Sequence, residues 1–251
     1  MLAISNKCCR YIMVLACTLL AACSSVPQLE NNVVTPIVPV PENNQELGVF
    51  SAYNDPWEGF NRRMYYFNAK ADEYVLLPIV DGYKAITPDV VETGLSNFFN
   101  NLAEISTFIN SVLQFKFSVA GETFGRFFVN STIGMVGLLD VATPLGLAEQ
   151  NEDFGQTLGF WGVGAGPYLV LPLLGPSSLR DVTGLAFDSF ADQQVLDIFG
   201  MTAEQELYLS LVNSIDARAR LPFRYYASGS AFEYEYLKLL YKKYREIQVA
   251  R

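Results

Sequence analysis

The sequence predicts a mainly α protein, and three observations carry that reading. Helix-start signals recur along the chain, each followed by apolar residues at helical spacing. Prolines and glycines fall between those stretches, which makes the helices short. No run of alternating apolar and polar residues reads as a set of strands, and no short-period repeat is present.

The first element is not part of that fold. Met1 to Arg10 carries Lys7 and Arg10 and no acid, and Tyr11 to Ala22 is a short apolar run. This is the pattern of a secretory signal peptide over residues 1–22, too short for a spanning helix of about 20 apolar residues. It ends in Leu20-Ala21-Ala22-Cys23, similar to the bacterial lipobox, so Cys23 is the expected lipidation site and the first mature residue. Ser24 after the cysteine favours sorting to the outer membrane. Residues 23–54 hold Pro27, Pro36, Pro39 and Pro41 among polar residues and read as an extended tether.

A single helical domain is expected over residues 55–251. Asp55-Pro56-Trp57-Glu58 reads as a capping box, followed by Trp57, Phe60, Met64, Phe67 and Ala71 at helical spacing. Pro78 interrupts. Thr87-Pro88-Asp89 starts a second helix with Val91, Leu95, Phe98 and Phe99 apolar, and Ile105 to Phe115 reads as a third. Val119 to Leu139 is a longer helical pattern whose only charges, Glu122 and Arg126, form an i,i+4 pair. Between Ser131 and Leu147 Asp140 is the sole charge, so this region is either membrane-facing or a buried core helix.

Phe154 to Asp181, FGQTLGFWGVGAGPYLVLPLLGPSSLRD, has no charged side chain before Arg180 and is dense in glycine and proline. It is either a core connector or an irregular apolar passage facing lipid. Further helix starts stand at Ser178-Leu179-Arg180-Asp181, at Thr202-Ala203-Glu204-Gln205 with Leu207, Leu211 and Ile215 on one face, and at Ser230-Ala231-Phe232-Glu233. The last helix has Phe232, Tyr236, Leu239 and Leu240 on its face. Lys238, Lys242, Lys243 and Arg245 follow toward its end, where solvated cations suit the helix dipole; a lipid-headgroup or partner site is the other reading.

Composition narrows the function. Hydrophobic residues make up 51% and charged residues 17%, against about 25% in average soluble proteins. With 17 basic and 26 acidic residues, a nucleic-acid partner is not expected. There is no histidine, so no Ser-His-Asp or Cys-His site is possible within the chain. All four cysteines, Cys8, Cys9, Cys17 and Cys23, lie at the N-terminus. Neither a cofactor nor a metal site is expected. A hydrolase built on Ser177 or Ser178 with Arg180 and Asp181 lacks a G-x-S-x-G elbow and a base.

Several ordered stretches resemble the VacJ/MlaA family of lipoproteins. They are Asp55 to Arg62 followed by Phe67-Asn68, Gly94 to Leu102, Arg126 to Gly134 with Asp140-Val141-Ala142 after it, and Phe154 to Asp181. Two departures stand out: Ile105 where a proline is expected and Phe115 where a glycine is usual. The resemblance implies a ring-like bundle of short helices with an apolar hairpin or loop and a central amphipathic channel. It implies a non-enzymatic outer-membrane lipoprotein, lying in the inner leaflet and facing the periplasm. Such a protein removes misplaced glycerophospholipids from the outer leaflet and passes them to a soluble periplasmic carrier of the MlaC type. Trimeric porins are the implied neighbours, and a structural lipoprotein that only scaffolds them is the alternative. A loop or hairpin near the channel mouth is expected over Asp140 to Phe154. Gly162, Gly164 and Gly166 are expected to bend its second arm, and Phe67 and Asn68 to set the open or closed state. Asn61, Asn68, Asn97, Asn130 and Gln156 are candidate head-group donors, with caps and turns as their other role.

Overall fold

A computed structural model of the chain describes residues 55–227, 229–230 and 232–251. The expected leader, Cys23 and the tether lie outside the described residues, as does Ala231. The fold is mainly α, as expected. Helix α1 (Glu58–Ala71) passes through a π-helical segment (Asp72–Leu76) into α2 (Leu77–Ile86). Then come α3 (Asp89–Leu113), α4 (Phe117–Thr132), a 3₁₀ turn (Thr143–Leu145) and α5 (Phe154–Phe160). Strands β1 (Tyr168–Leu171) and β2 (Gly175–Ser178) precede α6 (Leu179–Ile198), α7 (Ala203–Arg220) and α8 (Glu233–Ala250).

Several helix starts form as the sequence predicts. Ser178 caps α6 by accepting from the Asp181 N–H (3.2 Å). Thr202 and Gln205 close a reciprocal capping box on α7. Pro88 stands just before α3. The Asp55 box does not form. Asp55 Oδ1 instead accepts from Asn61 Nδ2 (2.8 Å), its Oδ2 accepts from the Tyr234 hydroxyl (2.5 Å), and Glu58 pairs with Arg62.

Pro78 does not end the first helix. It lacks the N–H that would reach back to residue 74. The π turn absorbs this, with the Leu77 N–H reaching the Asp72 carbonyl five residues back. The expected second and third helices are one, because Ile105 keeps its N–H in mid-helix. That helix ends at Phe115, whose φ of +58° is the left-handed conformation usually given to glycine. The Lys116 N–H bonds the Ser111 carbonyl and the Phe115 N–H the Val112 carbonyl, the paired bonds of a Schellman end. The pattern expected from Val119 to Leu139 stops at Thr132, and Met135, Val136 and Gly137 follow with positive φ.

The hairpin β1–β2 is antiparallel, with Tyr168 opposite Ser178 and Leu171 opposite Gly175. Sequence reading missed it because four-residue strands leave no alternating run. Two asparagines two turns apart on one face of α1 fix its position. Asn61 Nδ2 donates to the Tyr168 carbonyl (3.0 Å) while its Oδ1 accepts from the Val170 N–H (2.9 Å). Asn68 Nδ2 donates to the Leu171 carbonyl (2.8 Å) and its Oδ1 accepts from the Leu173 N–H (2.7 Å). Their side-chain amides thus stand in for a neighbouring strand.

Helical spacing finds the helices, but the buried face is the polar one. On α1 the buried residues are Asn61, Tyr65, Asn68 and Ala69, while Trp57, Phe60 and Phe67 are exposed. On α7 Asp216 is buried and Leu207 and Leu211 are exposed. On α8 Lys238 and Arg245 are buried and Phe232, Tyr236 and Leu240 are exposed. The basic end of α8 is therefore solvated only in part, since Lys243 is exposed and Lys242 half-buried. The buried apolar cluster is small, centred on Tyr65, Tyr168, Val170 and Tyr234.

Candidate functional site

Among the described residues several buried ion pairs hold this polar interior, and three of these charged locks bear on the predicted sites. Arg126 does not pair with Glu122. Its guanidinium is 2% exposed and donates to Glu104 (2.6 Å), to Thr143 Oγ1 (3.0 Å) and to the Leu147 carbonyl (2.6 Å), with Asp140 at 3.5 Å. Burial pushes the Glu104 carboxyl up against the opposing pull of Arg126. Asn130 Oδ1 accepts from the Val141 and Ala142 N–H groups. The Asp140 to Phe154 region is accordingly a pinned loop with a 3₁₀ turn, not a hairpin.

The second lock lies under the glycine-rich segment. Asp153 caps α5, Asp181 sits in the first turn of α6, and Arg245 of α8 bridges both (2.6 Å to Asp153, 2.8 Å to Asp181). Burial would raise both carboxyl pKa values. The Arg245 guanidinium, and the Tyr241 hydroxyl at Asp181, outweigh it and hold both below the usual range. Two glycines make the packing possible: a Cβ on Gly184 would lie 2.3 Å from the Gly155 nitrogen, so α5 and α6 touch through their backbones. Ser178 and Asp181 are spent on this lock, since the Ser178 hydroxyl donates to Asp181 (2.8 Å). The third lock is Asp72–Arg218, with Nε–Oδ1 at 2.5 Å.

Gly162, Gly164 and Gly166 share one exposed, uncharged loop between α5 and β1. Gly162 (φ +90°) and Gly166 (φ +71°) require their backbone freedom. Gly164 does not, and a Cβ there would meet nothing within 4 Å. Both ends of the loop are tied. The Trp161 Nε1–H donates to the Leu113 carbonyl at the end of α3 (3.2 Å), and the Arg180 N–H bonds the Ala165 carbonyl (3.1 Å). Phe67 points outward from α1. Asn68 is buried and meets the hairpin at its turn, the end away from the glycine loop. The structure therefore does not gather these residues into one cluster.

Of the five candidate head-group donors, Asn61, Asn68 and Asn130 grip backbone. Asn97 donates to the Leu138 carbonyl, and Gln156 to the Asn151 carbonyl. Sequence reading missed Asp153 and Arg245; the signal was Asp153 placed three residues before Gln156, a cap spacing. Trp161 was also missed, and nothing in the sequence marks the carbonyl it reaches.

Residues 53–248 match the family model described as MlaA lipoprotein. The chain belongs to the MlaA family. It is 41% identical over 141 residues to the Escherichia coli protein named intermembrane phospholipid transport system lipoprotein MlaA, covering 55% of this chain and 56% of that one. An uncharacterized protein of Rickettsia typhi is 38% identical over 146 residues, 58% of each chain. The chain thus spans a little over half the length of these curated relatives. A solved structure described as the structural basis for maintenance of bacterial outer membrane lipid asymmetry matches with a TM-score of 0.65. It is 32% identical, covering 78% of this chain and 99% of that one. Among the described residues no helix is long and apolar enough to cross a membrane.

Proposed function

We propose that this MlaA-family chain is an outer-membrane lipoprotein, anchored through Cys23, that removes misplaced glycerophospholipids from the outer leaflet. Its helical body lies in the inner leaflet facing the periplasm, and lipid passes through a central amphipathic channel. A soluble periplasmic carrier of the MlaC type receives the lipid for retrograde transport. Trimeric porins hold the body in the membrane, and no chemistry is performed on the lipid.

The observation that carries this reading is the inverted polarity of the body. Side chains such as Phe124, Phe128, Ile133, Met135 and Ile198 are exposed, while Arg126, Asn110 and Gln156 are buried. An apolar exterior of this extent marks a protein or membrane contact. Acyl chains around it, with no spanning helix among the described residues, suit a body seated within one leaflet.

Gly162-Val163-Gly164 is the proposed hinge, and Phe67-Asn68 biases the channel between open and closed. Gly164→Val tests the hinge, because the site accepts a side chain sterically. Outer-leaflet phospholipid should change in cells carrying it at normal protein level. Normal lipid asymmetry would end the hinge assignment. If a deletion strain also kept normal asymmetry, the porin-scaffold reading would replace transport.

A further inference from the structure

The third lock borders a cavity of about 250 Å³. It lies between the π segment, the hairpin turn, the end of α7 with the residues that follow, and α8. We propose that this cavity seats the end of one hydrocarbon chain of a membrane lipid. The proposal rests on the reading that the apolar exterior faces lipid.

Four observations converge on it. The lining is dominated by apolar side chains: Leu76, Leu173, Leu174, Leu221, Phe223 and Leu237. The rim residues Leu173, Leu174 and Leu221 are exposed, so the mouth continues the apolar exterior instead of opening through a polar collar.

The floor is polar but calls for no charged head. Arg218 neutralises Asp72, and its other N–H groups go to the Leu221 carbonyl (2.9 Å) and the Phe223 carbonyl (3.1 Å). Asn68 is used up on the hairpin backbone.

The walls also depart from regular geometry. A π turn, a feature frequent at functional sites, forms one side at Asp72–Leu76. The hairpin turn opposite has Leu173 at φ +64°, where glycine or asparagine is the usual residue. Such strain persists only where the surrounding structure holds it, and it clusters at ligand-binding sites. The Asn68 amide holds the Leu173 N–H, so α1 keeps the strained leucine at the rim.

Size fixes the occupant. An apolar cavity of about 150 Å³ takes benzene, whereas sites for whole small molecules span about 300–1,000 Å³. A chain end fits and a complete glycerophospholipid does not.

The test uses the full chain in a bilayer of phosphatidylethanolamine and phosphatidylglycerol. The bilayer is doped with a phosphatidylethanolamine bearing a diazirine at one chain end, and adducts are mapped after irradiation. Adducts are expected on the segments containing Leu76, Leu221 and Leu237. Leu237→Trp, which fills the space, should lose them while outer adducts near Phe128 and Ile198 persist. Leu173→Asn guards against a folding failure, since asparagine accepts the left-handed backbone but makes the rim polar; it too should lose the inner adducts. Adducts confined to the outer side chains would overturn the chain seat and leave the lipid-facing exterior standing. Adducts on neither would overturn both.

Discussion

The two faces of α1 show how this molecule is built. One face carries Asn61, Tyr65 and Asn68 inward, and each is tied by a hydrogen bond to another part of the fold. The other carries Trp57, Phe60 and Phe67 outward, each still 40–45% exposed. The same division recurs on α7 and α8. In a soluble helix the apolar face drives folding by leaving water. On the proposed reading that it faces lipid, it gains nothing from packing on the protein, because lipid tails are as apolar as leucine. Specificity then falls to the polar face, and losing one polar lock should cost more than losing one large apolar side chain outside.

The sharpest break in that comparison is Arg245→Ala. It strips Asp153 of its cation and leaves buried Asp181 with Arg180 alone (2.9 Å), a loss of about 3 kcal/mol, the low end for a broken buried pair. Thermal unfolding in detergent should show a large loss. The wild-type pair gives the matching pH dependence. Both folded carboxyl pKa values are depressed, so their contribution is full above the unfolded value of about 4 and disappears as pH falls through the lower folded values. Arg245→Ala should flatten that acid limb, and an unchanged limb would show that the lock contributes little.

A smaller effect of opposite sign is expected at Phe115→Gly. The left-handed conformation costs a non-glycine residue about 1–2 kcal/mol, and Phe115 is exposed, so the variant should unfold at a higher temperature. No gain would mean that Phe115 recovers the strain through its contacts with Phe117 and Phe160.

Phe128→Ser should move stability least, within about 0.5 kcal/mol, as surface changes do. Its effect should show in membrane binding instead. With Cys23→Ala removing the proposed anchor, flotation with vesicles should weaken by roughly tenfold, the worth of burying one phenyl ring. A Phe128→Ser variant that unfolds while still floating would reverse the roles assigned to the two faces.

Local signals were legible in the sequence. Ser178, Thr202 with Gln205, and Pro88 mark helix starts because capping chemistry lies within four residues. The glycine-rich stretch was also visible as an uncharged passage. What escaped was set by partners far along the chain. Asp55 left its helix start for Tyr234, and Arg126 left Glu122 for Glu104. The inward direction of the polar stripes was hidden too, because helical periodicity gives a face and not its surroundings. Phe115 is the reverse case: its departure from glycine was plain, and the structure supplies the positive φ that explains it.

The asparagine clamps have a consequence for how the chain folds. Asn61 and Asn68 join backbone groups 103 to 109 residues away. Closing a loop of that length is slow, and it must precede any reward from the contacts it forms. Helix α1 emerges early in synthesis, yet its polar stripe has no partner until the hairpin has been made. The hairpin is too short to persist alone. Assembly of this end of the molecule is therefore a late, concerted event, and the kinetic barrier to folding should respond strongly to changes at Asn61.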